Sequence, residues 1–251
     1  MNTLLSLLIL IAQNSLDQDL NYAIASYIIQ HFSSFGKMTL QKFCDDCGVS
    51  TSSVMKFCRM LGFSSFTQFK DRLYSAEEIR CLQLEQRMKN CSVQNLWDKI
   101  DMLGNNPAEI VLMKQSMAVL AEWLKEEKCI TLHGAVFPLA LMQSAMEDLI
   151  ILGYPANVVQ YNRDTFLPAV STGIQVVISY SGRFLEEKKD AYQKICAQNR
   201  HVVLISSVQD EHASLQVPMP DVDKTSQDMI LLGLMDILIH GVFHLPAGFR
   251  N

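Results

Sequence analysis

The chain of 251 residues is 49% apolar and 19% charged, enough apolar material for a sizeable core and too little charge for a disordered segment. Its seven cysteines are scattered at positions 44, 47, 58, 81, 91, 129 and 196, an odd, dispersed set that argues against a secreted disulfide framework and for a reducing cytoplasm. The net charge of −5 hides an asymmetry: residues 1–90 hold 9 basic and 8 acidic side chains, residues 91–251 hold 12 and 18. Between Cys47 and Arg72, Lys56, Arg59, Lys70 and Arg72 are opposed by Asp71 alone. A local basic patch on an acidic chain suits a small nucleic-acid-contacting element attached to something else.

The first apolar run, Leu7–Ala12, is short, and Leu4 and Leu5 extend it only across Ser6. No Lys or Arg precedes it, so the basic start of a signal peptide is missing. Leu20, Ala23, Ile24, Tyr27, Ile28 and Phe32 recur at helical spacing and predict an amphipathic helix over 17–32, stopped by Ser33, Ser34 and Gly36. Thr39 caps a short helix to Asp46, Gly48 marks a turn, and Ser50 caps a third helix that ends at Gly62. A further helical stretch runs from Ser65 toward residue 90, and no strand pattern interrupts this half.

Two helices that cross tightly need a small residue in the first, Gly in the turn and an apolar anchor in the second. Cys44, Gly48 and Val54 meet those needs, with Leu40, Phe43, Val49, Phe57 and Leu61 as further apolar contacts. The outward edge then carries Ser50, Thr51, Ser52, Ser53, Lys56 and Arg59. Their hydroxyls, helix N-terminus and two cations fit phosphates and base edges of a major groove. The plainer alternative is a three-helix bundle with solvated Ser and Lys. Cys44 and Cys47 form a CxxC, but no second ligand pair follows at zinc spacing, and the motif ends a helix rather than a strand. They read as small packing residues, and no metal is assigned.

After Asn105, Asn106 and Pro107 the pattern changes. Ile110, Met113, Met117, Leu120 and Leu124 stripe one long helix. Short apolar runs at Cys129–Leu132, Ile174–Ile178 and His201–Ile205 read as strands. Between them lie a helix from Pro138 to Gly153 and a polar helix over 185–199, and a last helix covers 226–244. Met229–Phe243 contains Asp236 and His240 and falls short of the ~20 residues that span a bilayer. It is apolar nearly all round, which predicts burial on both sides, inside the domain and at a subunit interface. Strands alternating with helices predict a parallel sheet covered on both faces, with ligands at the carboxyl ends of its strands.

With VSTSSVMKFCRMLGFSSFTQFK before residue 75 and ISYSG at 178–182, the chain resembles the RpiR family of bacterial transcriptional regulators. The resemblance rests on Phe57, Cys58, Arg59, Leu61, Gly62, Phe63, Phe66 and Phe69, and is stronger before residue 75 than after it. It implies an α/β chain overall: an all-α helix-turn-helix domain at 1–76, a helical linker at 77–106, and a sugar isomerase (SIS) domain at 107–251. That last domain would have a central parallel sheet flanked by helices. It further implies a homodimer or tetramer on double-stranded operator DNA, with a phosphorylated sugar as effector.

In SIS domains hydroxyls and backbone N–H groups in loops after two strands hold the phosphate. Carried over, the resemblance points to Ser179, Ser181, Gly182 and Arg183 in the second loop, and to His133 and Gly134 in the first. Two departures stand out: Phe184 replaces a usual Thr, and His133–Phe137 lacks the second Gly and the Ser of a Gly-x-Gly-x-Ser run. A degenerate SIS domain serving only as a dimerisation scaffold is therefore an alternative. A second alternative is a sugar-phosphate isomerase, which needs a base over the substrate carbon. Glu147, Glu186, Glu187, His133 and His212 are the candidates, and none pairs convincingly with a second group. The reading is a cytoplasmic regulator without catalytic residues or cofactor.

Overall fold

The computed structural model describes residues 3–14, 19–161 and 173–244. They divide into two compact units, one from residues up to 86 with 147–155, the other from 87–146 with 156–244.

In the helical unit, α1 (Thr3–Asn14) buries Leu4, Leu5, Leu8 and Ile9 and packs on α2 (Leu20–Gln30). The Asp19 carboxylate accepts from the Tyr22 N–H and caps α2, which ends at Gln30 rather than continuing to Phe32. A separate short turn, α3 (Phe32–Phe35), follows. Then come α4 (Leu40–Cys47), capped by the Thr39 hydroxyl, and α5 (Thr51–Met60), capped by the Ser50 hydroxyl. The long α6 (Phe66–Asn90) runs unbroken across residue 77.

Aromatic rings fill the centre of this unit. Phe35 meets Phe43, Phe66 and Phe69 edge-on at centroid separations of 5.6, 5.7 and 5.9 Å. Such edge-to-face pairs fix ring orientation as well as burying area.

The α/β unit opens with α7 (Val93–Leu103), which the apolar pattern alone did not announce. The Ser92 hydroxyl caps it, and it buries Leu96, Trp97 and Ile100 on one face. Then follow in chain order α8 (Pro107–Glu127), with Pro at its first position, β1 (Ile130–Gly134), α9 (Val136–Leu141), α10 (Gln143–Ile151), which belongs to the helical unit from Glu147 on, and β2 (Ala156–Gln160). After β3 (Ile174–Ile178) come α11 (Arg183–Glu187), α12 (Lys189–Gln198), β4 (Val202–Ser206), β5 (Leu215–Pro218) and α13 (Lys224–Val242). The expected helix over 138–153 is thus two helices, and the expected polar helix is α11 and α12.

The five described strands form one parallel sheet in the order β2-β1-β3-β4-β5. β1, β3 and β4 are buried at every position, as strands covered on both faces must be. On one face Val177, Val202 and Leu204 pack with Phe184, Tyr192 and Ile195 of α11 and α12. The last helix is buried on one side within the unit. Its Ile230, Leu231, Leu234 and Leu238 are buried, but Met229 is 54% and Leu232 41% exposed. Among the described residues no helix is long and apolar enough to cross a membrane.

Candidate functional site

The helix crossing of α4 and α5 is built as the residue types require. Gly48 adopts the left-handed conformation at φ 70° and ψ 29° and closes α4, so the chain turns within the single residue Val49 into the Ser50 cap. Cys44 and Val54 are buried beside this turn, and the Cys44 thiol contacts the Thr51 hydroxyl at 3.7 Å. Cys47 reaches instead toward the Ala23 carbonyl on α2, so the CxxC serves packing. Burial pushes the Cys47 thiol up, away from the thiolate that metal binding needs.

The outward edge of α5 differs residue by residue. Ser50 and Ser53 are occupied locally: the Ser53 N–H donates to the Ser50 hydroxyl at 3.1 Å, and the two hydroxyls lie 2.9 Å apart. Thr51, Ser52, Lys56 and Arg59 are exposed, and neither cation forms an ion pair with a described residue. Two other cations of the unit are committed, Lys42 to Asp46 at 2.9 Å and the Lys70 ammonium to the Met38 carbonyl at 2.7 Å, while Lys37 and Arg72 are exposed and form no ion pair with a described residue. Lys56 and Arg59 therefore stand as a free positive edge on α5.

A family model described as the helix-turn-helix domain of the rpiR family matches residues 8–78. The N-terminal part of the chain is an rpiR-family helix-turn-helix domain. Similar solved structures include the Vibrio vulnificus NanR protein complexed with ManNAc-6P. It is 17% identical over 95% of this chain and 91% of that one, with a TM-score of 0.41. A hypothetical protein of Methanococcus jannaschii, with an inferred function of 3-hexulose-6-phosphate isomerase, is 19% identical. That match covers 60% of this chain and 86% of that one, with a TM-score of 0.45. No curated protein matches in sequence.

In the α/β unit, β1 continues to β2 on one side while β3 lies on the other, so strand order reverses between β1 and β3. In open α/β sheets this reversal leaves a crevice outside the carboxyl ends of the two strands, where ligands bind. Gly134 and Ile178 are register partners, so the two loops expected to hold a ligand start side by side.

Their side chains are not equally available. His133 is buried in β1, with Nδ1 at 3.0 Å from the Tyr161 hydroxyl and Nε2 at 2.8 Å from Gln175 Oε1. The Gln175 amide nitrogen donates to the Gly173 carbonyl, so Oε1 is the acceptor of the His133 Nε2–H and Nδ1 accepts from Tyr161. Burial holds the imidazole down at about 4 against the raising effect of Gln175. His133 is thus a neutral core residue with both nitrogens occupied, not the protonated group that a direct ligand role requires. Gly134 is buried too: a Cβ there would lie 2.9 Å from the Ile178 carbonyl oxygen.

In the second loop the Ser179 hydroxyl is buried and accepts from the Phe184 N–H at 3.0 Å. Phe184 itself is core, edge-on to Tyr161 at 4.9 Å, which accounts for an aromatic residue at that position. Gly182 is left-handed at φ +77°, and a Cβ there would lie 2.7 Å from Val208 Cγ2. Ser181 is exposed and makes no hydrogen bond to a described residue, while Arg183 points along α11 to Glu187 at 2.6 Å. Ser181 is the open hydroxyl of this edge.

Of the candidate bases, Glu147 is buried rather than solvated, and the Ser6 hydroxyl donates to its carboxylate. Burial raises its pKa. Glu187 is engaged with Arg183, and His212 with Asp210 at 3.0 Å. Each is tied to a neighbour rather than poised beside a second reactive group.

Proposed function

We propose that the chain is a DNA-binding transcriptional regulator of the RpiR type, cytoplasmic, in which an SIS-type α/β domain senses a phosphorylated sugar and alters operator affinity. The observation that carries this reading is the family match over residues 8–78 joined to the free Lys56–Arg59 edge on α5. In this reading the DNA-binding part lies within residues 1–76 and the sensing part is drawn from residues 107–251, with the rest of α6 and α7 between them. Ser50, Thr51, Ser52, Ser53, Lys56 and Arg59 meet the duplex: Ser50 and Ser53 hold the helix start while Thr51, Ser52 and the two cations make contact. The effector sits at the β1–β3 edge on Ser181, Gly182 and Arg183, with His133, Gly134 and Ser179 shaping the strand ends beneath it.

A second copy pairs on the groove between α7 and α13. Its lining includes Leu96, Ile100, Met102 and Leu232, with Lys99 and Asp236 also on it. The lining is mostly apolar, as suits an isologous interface about a two-fold axis, and Asp236 on it already pairs with Arg87 at 3.6 Å. Two recognition helices related by such an axis address the two half-sites of a pseudo-palindrome.

The sensing part is tested by thermal unfolding with a panel of phosphorylated sugars, because a ligand that binds only the folded state raises the melting temperature. At least one phosphosugar should raise it where its unphosphorylated parent does not. Ser181→Ala should weaken that ligand roughly tenfold or more, the worth of one hydrogen bond to a charged group. A wild-type protein that no phosphosugar stabilises would leave the α/β unit as a scaffold.

A further inference from the structure

The loop after β1 brings no hydroxyl to the ligand edge. It brings Val136 and Phe137, 48% and 53% exposed, at the start of α9. Above the Phe137 ring, at 3.6 Å from its centroid, lies the Lys224 ammonium from the first position of α13. The same ammonium donates to Asp228 Oδ2 at 2.8 Å, one turn further along α13. The other oxygen of that carboxylate accepts from the Tyr180 hydroxyl at 2.9 Å. Tyr180 immediately precedes Ser181. One connected set of contacts therefore runs from the first loop through α13 to the second, across the point where strand order reverses.

The chemistry of this set is asymmetric. An ammonium has three donors. Asp228 takes one and the face of Phe137 engages the charge from one side, while the Lys224 side chain remains 61% exposed. Asp228, 19% exposed, is held by two donors and so fixes where Lys224 stands. The exposed apolar ring beside a fixed cation matches a ligand with an anionic group next to a carbon skeleton that has an apolar face. A phosphorylated sugar ring has that form; free phosphate supplies only half of it.

We propose that Lys224 is the cation that receives the effector's phosphate and that Phe137 is the surface on which its sugar ring rests, with Asp228 and Tyr180 as positioning residues. This rests on the reading of the β1–β3 edge as the effector site. The clasp replaces the hydroxyl that the first loop lacks: specificity for an anion comes from α13, and selection of the carbon skeleton comes from an aromatic face.

The test is isothermal titration of the full chain with hexose 6-phosphates, the matching hexoses and inorganic phosphate. Wild type, Lys224→Met, Lys224→Arg, Phe137→Ala and Ser181→Ala are compared. Lys224→Met should lose tenfold or more in affinity for the phosphosugar, as expected for a hydrogen bond to a charged group, and Lys224→Arg should recover part of it. Phe137→Ala should weaken the phosphosugar more than inorganic phosphate. If Lys224→Met binds as wild type while Ser181→Ala is weakened, the clasp is overturned and the site stands. If wild type binds no phosphorylated ligand, both fall.

Discussion

Replacing Lys56 and Arg59 together by Ala is expected to weaken binding to a preferred duplex about a hundredfold, two contacts at roughly 1–3 kcal/mol each. The melting temperature should stay within a degree or two of wild type. The expectation follows from where the charges stand: both side chains are exposed on α5 without an ion-pair partner, so removing them leaves no buried group unsatisfied. Salt resolves the two contacts further. Loss of a phosphate contact lowers the slope of log affinity against log salt by about one, whereas loss of a base contact relaxes sequence preference. Affinity unchanged at matched salt would move the DNA contact away from α5.

The largest effect on stability should come from Asp148, in the stretch of α10 that belongs to the helical unit. Its side chain is 1% exposed, and Arg80 of α6 donates to its Oδ1 through Nε at 2.9 Å and Nη2 at 2.8 Å. Asp148→Ala leaves a guanidinium largely buried opposite an apolar methyl, which typically costs 3–5 kcal/mol. Calorimetry should show the transition of the helical unit lowered by at least about 10 °C, given a few degrees per kcal/mol for a unit of this size. The double variant Arg80→Met with Asp148→Leu should recover most of that loss, because exchanging a buried pair for packed apolar groups is often neutral. A single variant that unfolds like wild type would show the pair to be solvated in solution.

What the residues disclosed on their own was local. The Thr39 and Ser50 caps, the Gly48 turn and the Cys44–Val54 crossing each depend on neighbours within a few positions, and each is found where spacing puts it. The same holds for β3, a run apolar at every position but Gln175, at the middle of the sheet. β2 and β5 escaped because edge strands need not be apolar throughout, and β5 even ends in Pro218. α7 left one usable signal, the Ser92 cap before the Leu96 and Ile100 pair.

The remainder of the candidate site is a product of topology. Phe137, Tyr180, Lys224 and Asp228 carry no shared spacing. They meet because the register of β1 against β3 sets their loops side by side and α13 starts at that edge. Arg80 and Asp148 are 68 positions apart, so a carboxylate in mid-helix gave no hint of its burial. His133 shows the opposite error: a polar residue at a strand end invites a ligand role, yet Gln175 and Tyr161 absorb it into the core.

The most direct measurement is selection of bound duplexes from a random library by the full chain, run in parallel with the Lys56→Ala, Arg59→Ala double variant. The account predicts that wild type enriches a sequence with two inverted half-sites about one or two helical turns apart, and that the variant enriches none. A wild-type protein that retains no sequence above the starting library, or a variant that enriches the same sequence, would contradict it.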